Sequence, residues 1–299
     1  MKNTHLQHPE DSILTGDLTV LDWMLCPGNV SVKIDGAPAI VWGKDPATGT
    51  FFVGTKAVFN KKKIRIAHSH QEIDLHYEGE VNEILHACFD YLPRTDFIIQ
   101  GDFIGFGGAH LYKPNAITYV FPSVISQNIV IAPHTYYLAS KDLRDAEAYQ
   151  LNFKLVDNSF CKFIIPKASM QEGDFSEVVA FVRQMSTMVQ FIEKKQRVKV
   201  EKVINTFIKT GAVLDEEAMS YAAQCDVNLI RLWKLVKQIK EDMLLLCAND
   251  GPKAILSGKD VGAEGYVMAN PHGMYKLVQR EVFSQYNFNH GRFQRKTSC

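Results

Sequence analysis

The sequence has no long apolar run. Nothing in it approaches the roughly 20 consecutive apolar residues that cross a bilayer. Met1-Lys2-Asn3-Thr4-His5 leads into polar sequence without the apolar centre of a signal peptide. The expectation is a cytoplasmic protein (host cytoplasm if the source is viral) with no membrane partner. Net charge is missing as well: 33 Lys+Arg balance 33 Asp+Glu, so any nucleic-acid contact has to come from a local basic patch. The six cysteines, Cys26, Cys88, Cys161, Cys225, Cys247 and Cys299, stand far apart with no C-x-x-C pair. That excludes a zinc ribbon or a thioredoxin-type site, and they read as buried thiols. No G-x-x-x-x-G-K-[ST] occurs, so a P-loop ATPase is unsupported, and Gly105-Phe106-Gly107-Gly108 falls short of G-x-G-x-x-G. His68, His70 and His76 lack the i, i+4 pairing of a helical zinc hydrolase and read as surface or hydrogen-bonding side chains. Repeats and low-complexity tracts are absent.

What remains is ordinary globular material. The chain has 299 residues, 46% hydrophobic and 22% charged, enough for one large domain or two ordinary ones. From Val30 to Tyr137, β-branched and aromatic runs are broken by Gly, Pro and Asn. Ala39-Ile40-Val41-Trp42, Phe51-Phe52-Val53, Phe97-Ile98-Ile99 and Ile117-Thr118-Tyr119-Val120-Phe121 read as strands. Asp45-Pro46-Ala47-Thr48-Gly49 reads as a hairpin loop, and a helix is expected from about Glu80 to Leu92.

The period then changes. Phe175, Val178, Val182, Met185, Val189 and Ile192 recur at helical steps, with Asp174 and Glu177 resembling a capping box. The pattern resumes at Val203, Phe207 and Ile208, stops at Gly211, and returns through Leu229, Trp233, Val236, Ile239, Met243 and Leu246. These stripes read as helix-packing core. Short strand-like runs follow at Gly265–Met268 and Tyr275–Val278. The expected division is 1–169 with 251–299 as one core, and 170–250 as an inserted helical subdomain.

Four features carry chemistry. Lys33-Ile34-Asp35-Gly36 ends a β-branched run; such a spacing arises by chance in about one chain of this length in fifteen, so alone it says little. Gly101-Asp102 follows an apolar strand, Glu264-Gly265-Tyr266-Val267 comes late, and Lys276 lies in a short apolar run after it. Singly, Lys33 reads as a solvated strand-end lysine, Asp35-Gly36 as a turn, and Tyr119 and Phe121 as core aromatics.

In order, these pieces resemble the covalent nucleotidyltransferase superfamily of DNA ligases, RNA ligases and mRNA capping enzymes. Lys33–Gly36 resembles motif I, Gly101-Asp102 motif III, Ile117–Phe121 the adjoining base-stacking strand, Glu264–Val267 motif IV, and Lys276 with Leu277 and Val278 motif V. Gly54–Phe59 and Lys276–Arg280 are also similar to RNA-ligase-like proteins of tailed phages. The resemblance implies an α+β fold: a ligase adenylation-domain core of antiparallel sheets with the helical block inserted. It implies an ATP-dependent RNA ligase that seals 5′-phosphate to 3′-hydroxyl ends through lysyl-AMP, with Mg²⁺ or Mn²⁺ as cofactor. Lys33 would be the nucleophile, aided by Lys276. Asp35, Gly36, Lys56, Asp102, Tyr119, Phe121, Glu264 and Lys276 would contact the nucleotide, and Glu264 the metal. Tyr119 or Phe121 would stack on the base. An attacking lysine must be neutral; a pKa of about 10.4 leaves about one in a thousand so near pH 7.4, a handicap of about 4 kcal/mol that neighbouring positive charge and desolvation reduce.

The partner would be RNA, with DNA as the other candidate. Lys61-Lys62-Lys63-Ile64-Arg65, echoed by Arg292, Arg295 and Lys296, reads as a solvated face or, in a ligase, as a strip that tracks phosphates. The sequence also departs from the family. Asp102 stands where Glu is usual, motif V has one lysine, Pro38 replaces a common Arg, and the chain ends at Cys299 without room for an OB-fold. Two alternatives therefore stay open: an adenylyltransferase acting on another acceptor, and a catalytically degenerate ligase-like module that binds nucleic acid or virion components.

Overall fold

Alternating side chains build the first of two units. The computed structural model describes residues 6–284; Arg292, Arg295, Lys296 and Cys299 lie outside the described residues. Residues 34–166 and 251–262 cluster as one unit. Its main sheet runs, strand by strand, Phe51–Thr55, Ala39–Lys44, Ile98–Phe106, Ile129–Leu138 and Glu147–Gln150, all antiparallel, with Cys161–Phe163 added parallel to Ile129–Leu138. Ile40 and Trp42 go to one face and Val41 to the other, as a two-residue period requires. The first face is covered by the helices His70–His76 and Gly79–Tyr91, through Ile73, Ile84, Leu85 and Cys88. The second face gathers Val41, Phe52, Ile98 and Tyr137.

The Asp45–Gly49 loop closes the first hairpin as expected. The Asp45 carboxylate accepts the Ala47 N–H at 2.9 Å, and Gly49 takes φ +73°, a left-handed turn position that suits glycine. A second, smaller sheet aligns Leu111–Tyr112, Thr118–Val120, Lys253–Leu256 and Lys259–Asp260. The helix His70–His76, capped by the Ser69 side chain accepting the Glu72 N–H, is too short for its period to show in the sequence.

Residues 6–33, 167–250 and 263–284 form the other unit. The strands Asn29–Val32, Tyr266–Asn270 and Gly273–Leu277 make one antiparallel sheet, and Ala168–Met170 pairs with Cys247–Asn249. The helices Ser176–Ser186, Arg197–Thr210, Glu216–Ala223 and Val227–Leu245 pack on Leu21, Trp23, Met268 and Leu277. The helix that stops at Gly211 does so in the left-handed conformation, φ +70°. Val189 and Ile192 fall beyond the end of Ser176–Ser186, so that stripe is shorter than the spacing suggests. At its start, Asp174 accepts the Ser176 N–H at 2.9 Å.

This division corrects the expected one. The 170–250 helices do not stand apart as an insert; they share a core with the N-terminal segment and the last strands. An amphipathic helix needs cover for its apolar stripe, and the cover comes from residues distant in sequence. No helix among the described residues is long and apolar enough to cross a membrane. The architecture is α+β with mainly antiparallel sheets.

Candidate active site

The three-stranded sheet sorts its side chains by parity. Val30, Val32, Tyr266, Met268, Tyr275 and Leu277 belong to the helical core. Ser31, Val267 and Lys276 therefore project from the opposite face, with Val267 in register with both Ser31 and Lys276. Lys33 continues the same parity one step beyond the strand, and its N–H donates to the Gly265 carbonyl at 2.9 Å.

Glu264, adjoining that glycine, forms an ion pair through Oε1 with Lys33 Nζ across 231 positions of sequence. The two side chains are 21% and 9% exposed, so the pair is largely withdrawn from water. Gly265 is required here: φ is +151°, and a Cβ would sit 2.5 Å from the Leu277 carbonyl oxygen. The glycine lets the strands close up and delivers Glu264 to the lysine. Lys276 itself is anchored by its N–H donating to the Gln7 carbonyl at 3.1 Å.

Beneath Lys276's strand lies a buried charge network. Lys240, with no exposed surface, donates to Glu10 Oε1 at 3.1 Å and to the Val278 carbonyl at 2.9 Å. Arg280 donates to Glu10 at 3.1 Å and Asp11 at 2.8 Å. Burial pushes the Glu10 carboxyl up, but Lys240 and Arg280 outweigh it and hold the group at about 2. Asp11 goes the other way, raised by burial and by the charge of Glu10 against the pull of Arg280.

In the other unit, the chain after Lys33 is clamped at Asp35 and Gly36. The Asp35 N–H donates to the Tyr119 hydroxyl at 2.9 Å, and that hydroxyl donates back to the Asp35 carbonyl at 3.2 Å. Asn115 Nδ2 donates to the same carbonyl at 3.0 Å. Gly36 lies against the Ile98–Phe106 strand, its N–H 3.5 Å from Asp102 Oδ2, and the Ala37 N–H donates to the Phe103 carbonyl at 3.0 Å. Asp102 stands opposite Ala39 in the sheet. Lys56 is exposed on the turn Lys56–Phe59; Thr55 pairs with Ile40, which puts Lys56 in line with Ala39 and Asp102 at that sheet end.

One expectation changes. Tyr119 is only 2% exposed, between Tyr112 and Ala254 in the small sheet. A ring buried so completely has no face left for a base, and its hydroxyl serves the Asp35 backbone instead. Phe121 is half-buried, edge-on to Tyr112 at 5.6 Å. Lys61, Lys62, Lys63 and Arg65 are exposed.

Sequence reasoning missed the neighbours of Asp102. His134 Nε2 lies 3.8 Å from Asp102 Oδ1 and 3.3 Å from Gln100 Nε2. Gln100 is buried and accepts the Tyr137 hydroxyl at 2.6 Å, while burial drives the Tyr137 phenol far above its usual range. Gln100 and Asp102 share a parity that could have been read from the strand; a register shift between Gln100 and Gly101 hides the contribution of His134. The cysteines fit the buried-thiol reading only in part: all five described ones are free thiols, Cys88 and Cys161 are buried and burial raises Cys161 to about 12, but Cys26, Cys225 and Cys247 are only half-buried.

Fold and geometry thus define an α+β protein with lysines and a carboxylate converging on one sheet face. The chain belongs to the family of unknown function DUF6267, which matches residues 3–226 and 215–292. No curated protein and no solved structure matches it.

Proposed function

We propose that this protein is an ATP- and Mg²⁺-dependent RNA ligase built on a nucleotidyltransferase core, with Lys33 as the nucleophile. The observation that supports this reading most is the Lys33–Glu264 pair on the sheet face that also bears Lys276. Lys33 is brought there to Glu264 and Lys276 from far along the chain, and the Lys33–Glu264 pair is partly shielded from water, where charge on a phosphoryl group is stabilised best.

In the first step Lys33 Nζ, having released a proton, attacks the α-phosphorus of ATP. An N–P bond forms, the bond to the β-phosphate oxygen breaks, and pyrophosphate leaves. Lys276 adds a second positive charge on the same face, which attracts the phosphoryl oxygens. Glu264 offers a hard oxygen donor, and Mg²⁺ that travels with nucleotide phosphates needs only one or two protein carboxylates. Bound there, the ion would neutralise phosphate charge. AMP then passes to a 5′-phosphate end, and a 3′-hydroxyl displaces it to seal the strand. Lys56 and the exposed Lys61–Lys63 strip favour phosphate-rich partners.

The test is incubation with α-labelled ATP and Mg²⁺ followed by denaturing electrophoresis, then addition of RNA carrying 5′-phosphate and 3′-hydroxyl ends. Acid-labile label that disappears in Lys33→Ala, and joined RNA, are expected. Label that persists at wild-type level in Lys33→Ala removes Lys33 as nucleophile. Absence of label with ATP, GTP and NAD, on protein not already adenylylated, defeats the enzyme reading. Lysyl-AMP without strand joining moves the assignment to transfer onto another acceptor.

A further inference from the structure

Two histidines meet on the helices that cover the Ile40–Trp42 face of the larger sheet. His70 opens the helix His70–His76, and His86 lies within Gly79–Tyr91. Their Nδ1 atoms are 2.6 Å apart. The ring centroids are 4.9 Å apart with planes within 11°. So short a nitrogen gap at that centroid distance requires both Nδ1 atoms to lie on the line joining the ring centres. The imidazoles meet edge to edge, nitrogen against nitrogen.

The outer nitrogens are already engaged. His70 Nε2 donates to Asp90 Oδ1 at 3.0 Å, and His86 Nε2 donates to Asp74 Oδ1 at 2.8 Å. An ionised carboxylate only accepts, so each Nε2 carries its ring's proton and each Nδ1 of a neutral ring presents a lone pair. Asn82 Nδ2 also donates to Asp74 Oδ1, at 3.0 Å, and Asn82 with His86 holds that carboxyl below its usual range. Two lone pairs facing each other this closely repel unless a cation lies between them.

We propose that His70 and His86 form a binding site for a divalent first-row transition cation of the zinc class, with the two Nδ1 atoms as ligands. Imidazole is a preferred donor for such ions, and a ligating histidine commonly donates its other N–H to a carboxylate. Asp90 and Asp74 supply that support on both sides. A dipositive ion between neutral rings is balanced by these two carboxylates. Zinc–nitrogen bonds of about 2.0–2.1 Å at a tetrahedral angle would part the nitrogens by less than about 1 Å more. The side chains are 45% and 28% exposed, which leaves room for that movement and for water to complete the coordination. Phe89, edge-on to His70 at 5.1 Å, seats one ring. Among the described residues no group of three or more metal-binding side chains is assembled, so the site has two protein ligands and open positions. It is independent of the ligase reading, because Mg²⁺ prefers oxygen ligands and Asp102 projects from the sheet's other face.

The experiment uses the full chain stripped of metal by a chelator, with Mg²⁺ in excess, titrated with ZnCl₂ by calorimetry and with CoCl₂ by visible absorption. One Zn²⁺ per chain is expected, undisturbed by Mg²⁺, together with a Co²⁺ d–d band. His70→Ala or His86→Ala should abolish saturable uptake. Asp74→Asn and Asp90→Asn, at exposed carboxylates where folding is not at stake, should weaken it about tenfold or more. No saturable uptake by the wild type overturns the proposal. So does uptake that survives in the doubly substituted His70→Ala/His86→Ala chain, or histidine ¹⁵N signals of a proton-sharing pair that Zn²⁺ does not perturb.

Discussion

Replacing Gly36 by Ala probes the link between packing and chemistry most directly. The backbone at Gly36 is not left-handed, so alanine can adopt its dihedrals; space is the obstacle. A Cβ would lie 2.3 Å from the Phe103 carbonyl oxygen, 3.0 Å from its carbon and 2.9 Å from Ile104 Cδ1. The isoleucine tip can swing away. The carbonyl cannot, because Phe103 exchanges hydrogen bonds with the facing chain, its oxygen accepting from Ala37 and its N–H donating to Pro38, each at 3.0 Å. The Ile34–Ala37 segment, joined directly to Lys33, must then retreat by about 1 Å to restore van der Waals separation. Overpacking of this kind costs about 1–3 kcal/mol. A displacement of about 1 Å at reacting groups slows chemistry about 100-fold.

Urea unfolding measures the first quantity and single-turnover labelling with α-labelled ATP the second. We expect a lowered unfolding midpoint and AMP transfer slowed about 100-fold. An unchanged midpoint refutes the packing argument. A destabilised protein that labels at the wild-type rate upholds the packing argument and refutes the coupling of the Gly36 turn to Lys33 chemistry.

Further outcomes follow from the same contacts. Tyr119→Phe removes the hydroxyl that bridges the Asp35 N–H and carbonyl and should cost about 1–3 kcal/mol. Amide exchange at Asp35 should quicken, and unchanged exchange would count against the clamp. Lys240→Met takes one partner from a fully buried ion network, where loss of a partner costs about 3–5 kcal/mol; a loss below about 1 kcal/mol in urea unfolding contradicts that burial. For Glu10, the folded carboxyl titrates at about 2 against an ordinary value of 4.5. Its contribution is complete above pH 4.5 and disappears as pH falls towards 2, with Asp11, shifted upward, partly offsetting it. The acid limb of wild-type stability should therefore be steeper over that window than in Glu10→Gln; identical slopes would show that Glu10 is not held ionised.

Legibility in the sequence tracked the range of each interaction. The hairpin at Asp45–Gly49, the helix Gly79–Tyr91 and the helix Val227–Leu245 depend on near neighbours, on turn residues and on a repeating apolar period. They could be read directly. The motif order Lys33, Asp102, Glu264, Lys276 was also visible, because it is a linear property. The short helices His70–His76 and Glu216–Ala223 span too few turns to display a period.

Composition, periodicity and motif order by themselves determined an α+β chain with a helical stretch before its last strands, and nominated Lys33, Glu264 and Lys276. Tertiary structure alone decided that Lys33 pairs with Glu264, that Tyr119 is a backbone clamp and that His134 sits beside Asp102. It alone joined the 170–250 helices to the N-terminal segment and the last strands and set His70 against His86. The physical reason is common to all of these. Each is a contact between residues far apart in sequence, fixed by strand register and by which apolar face covers which, and neither leaves a local pattern.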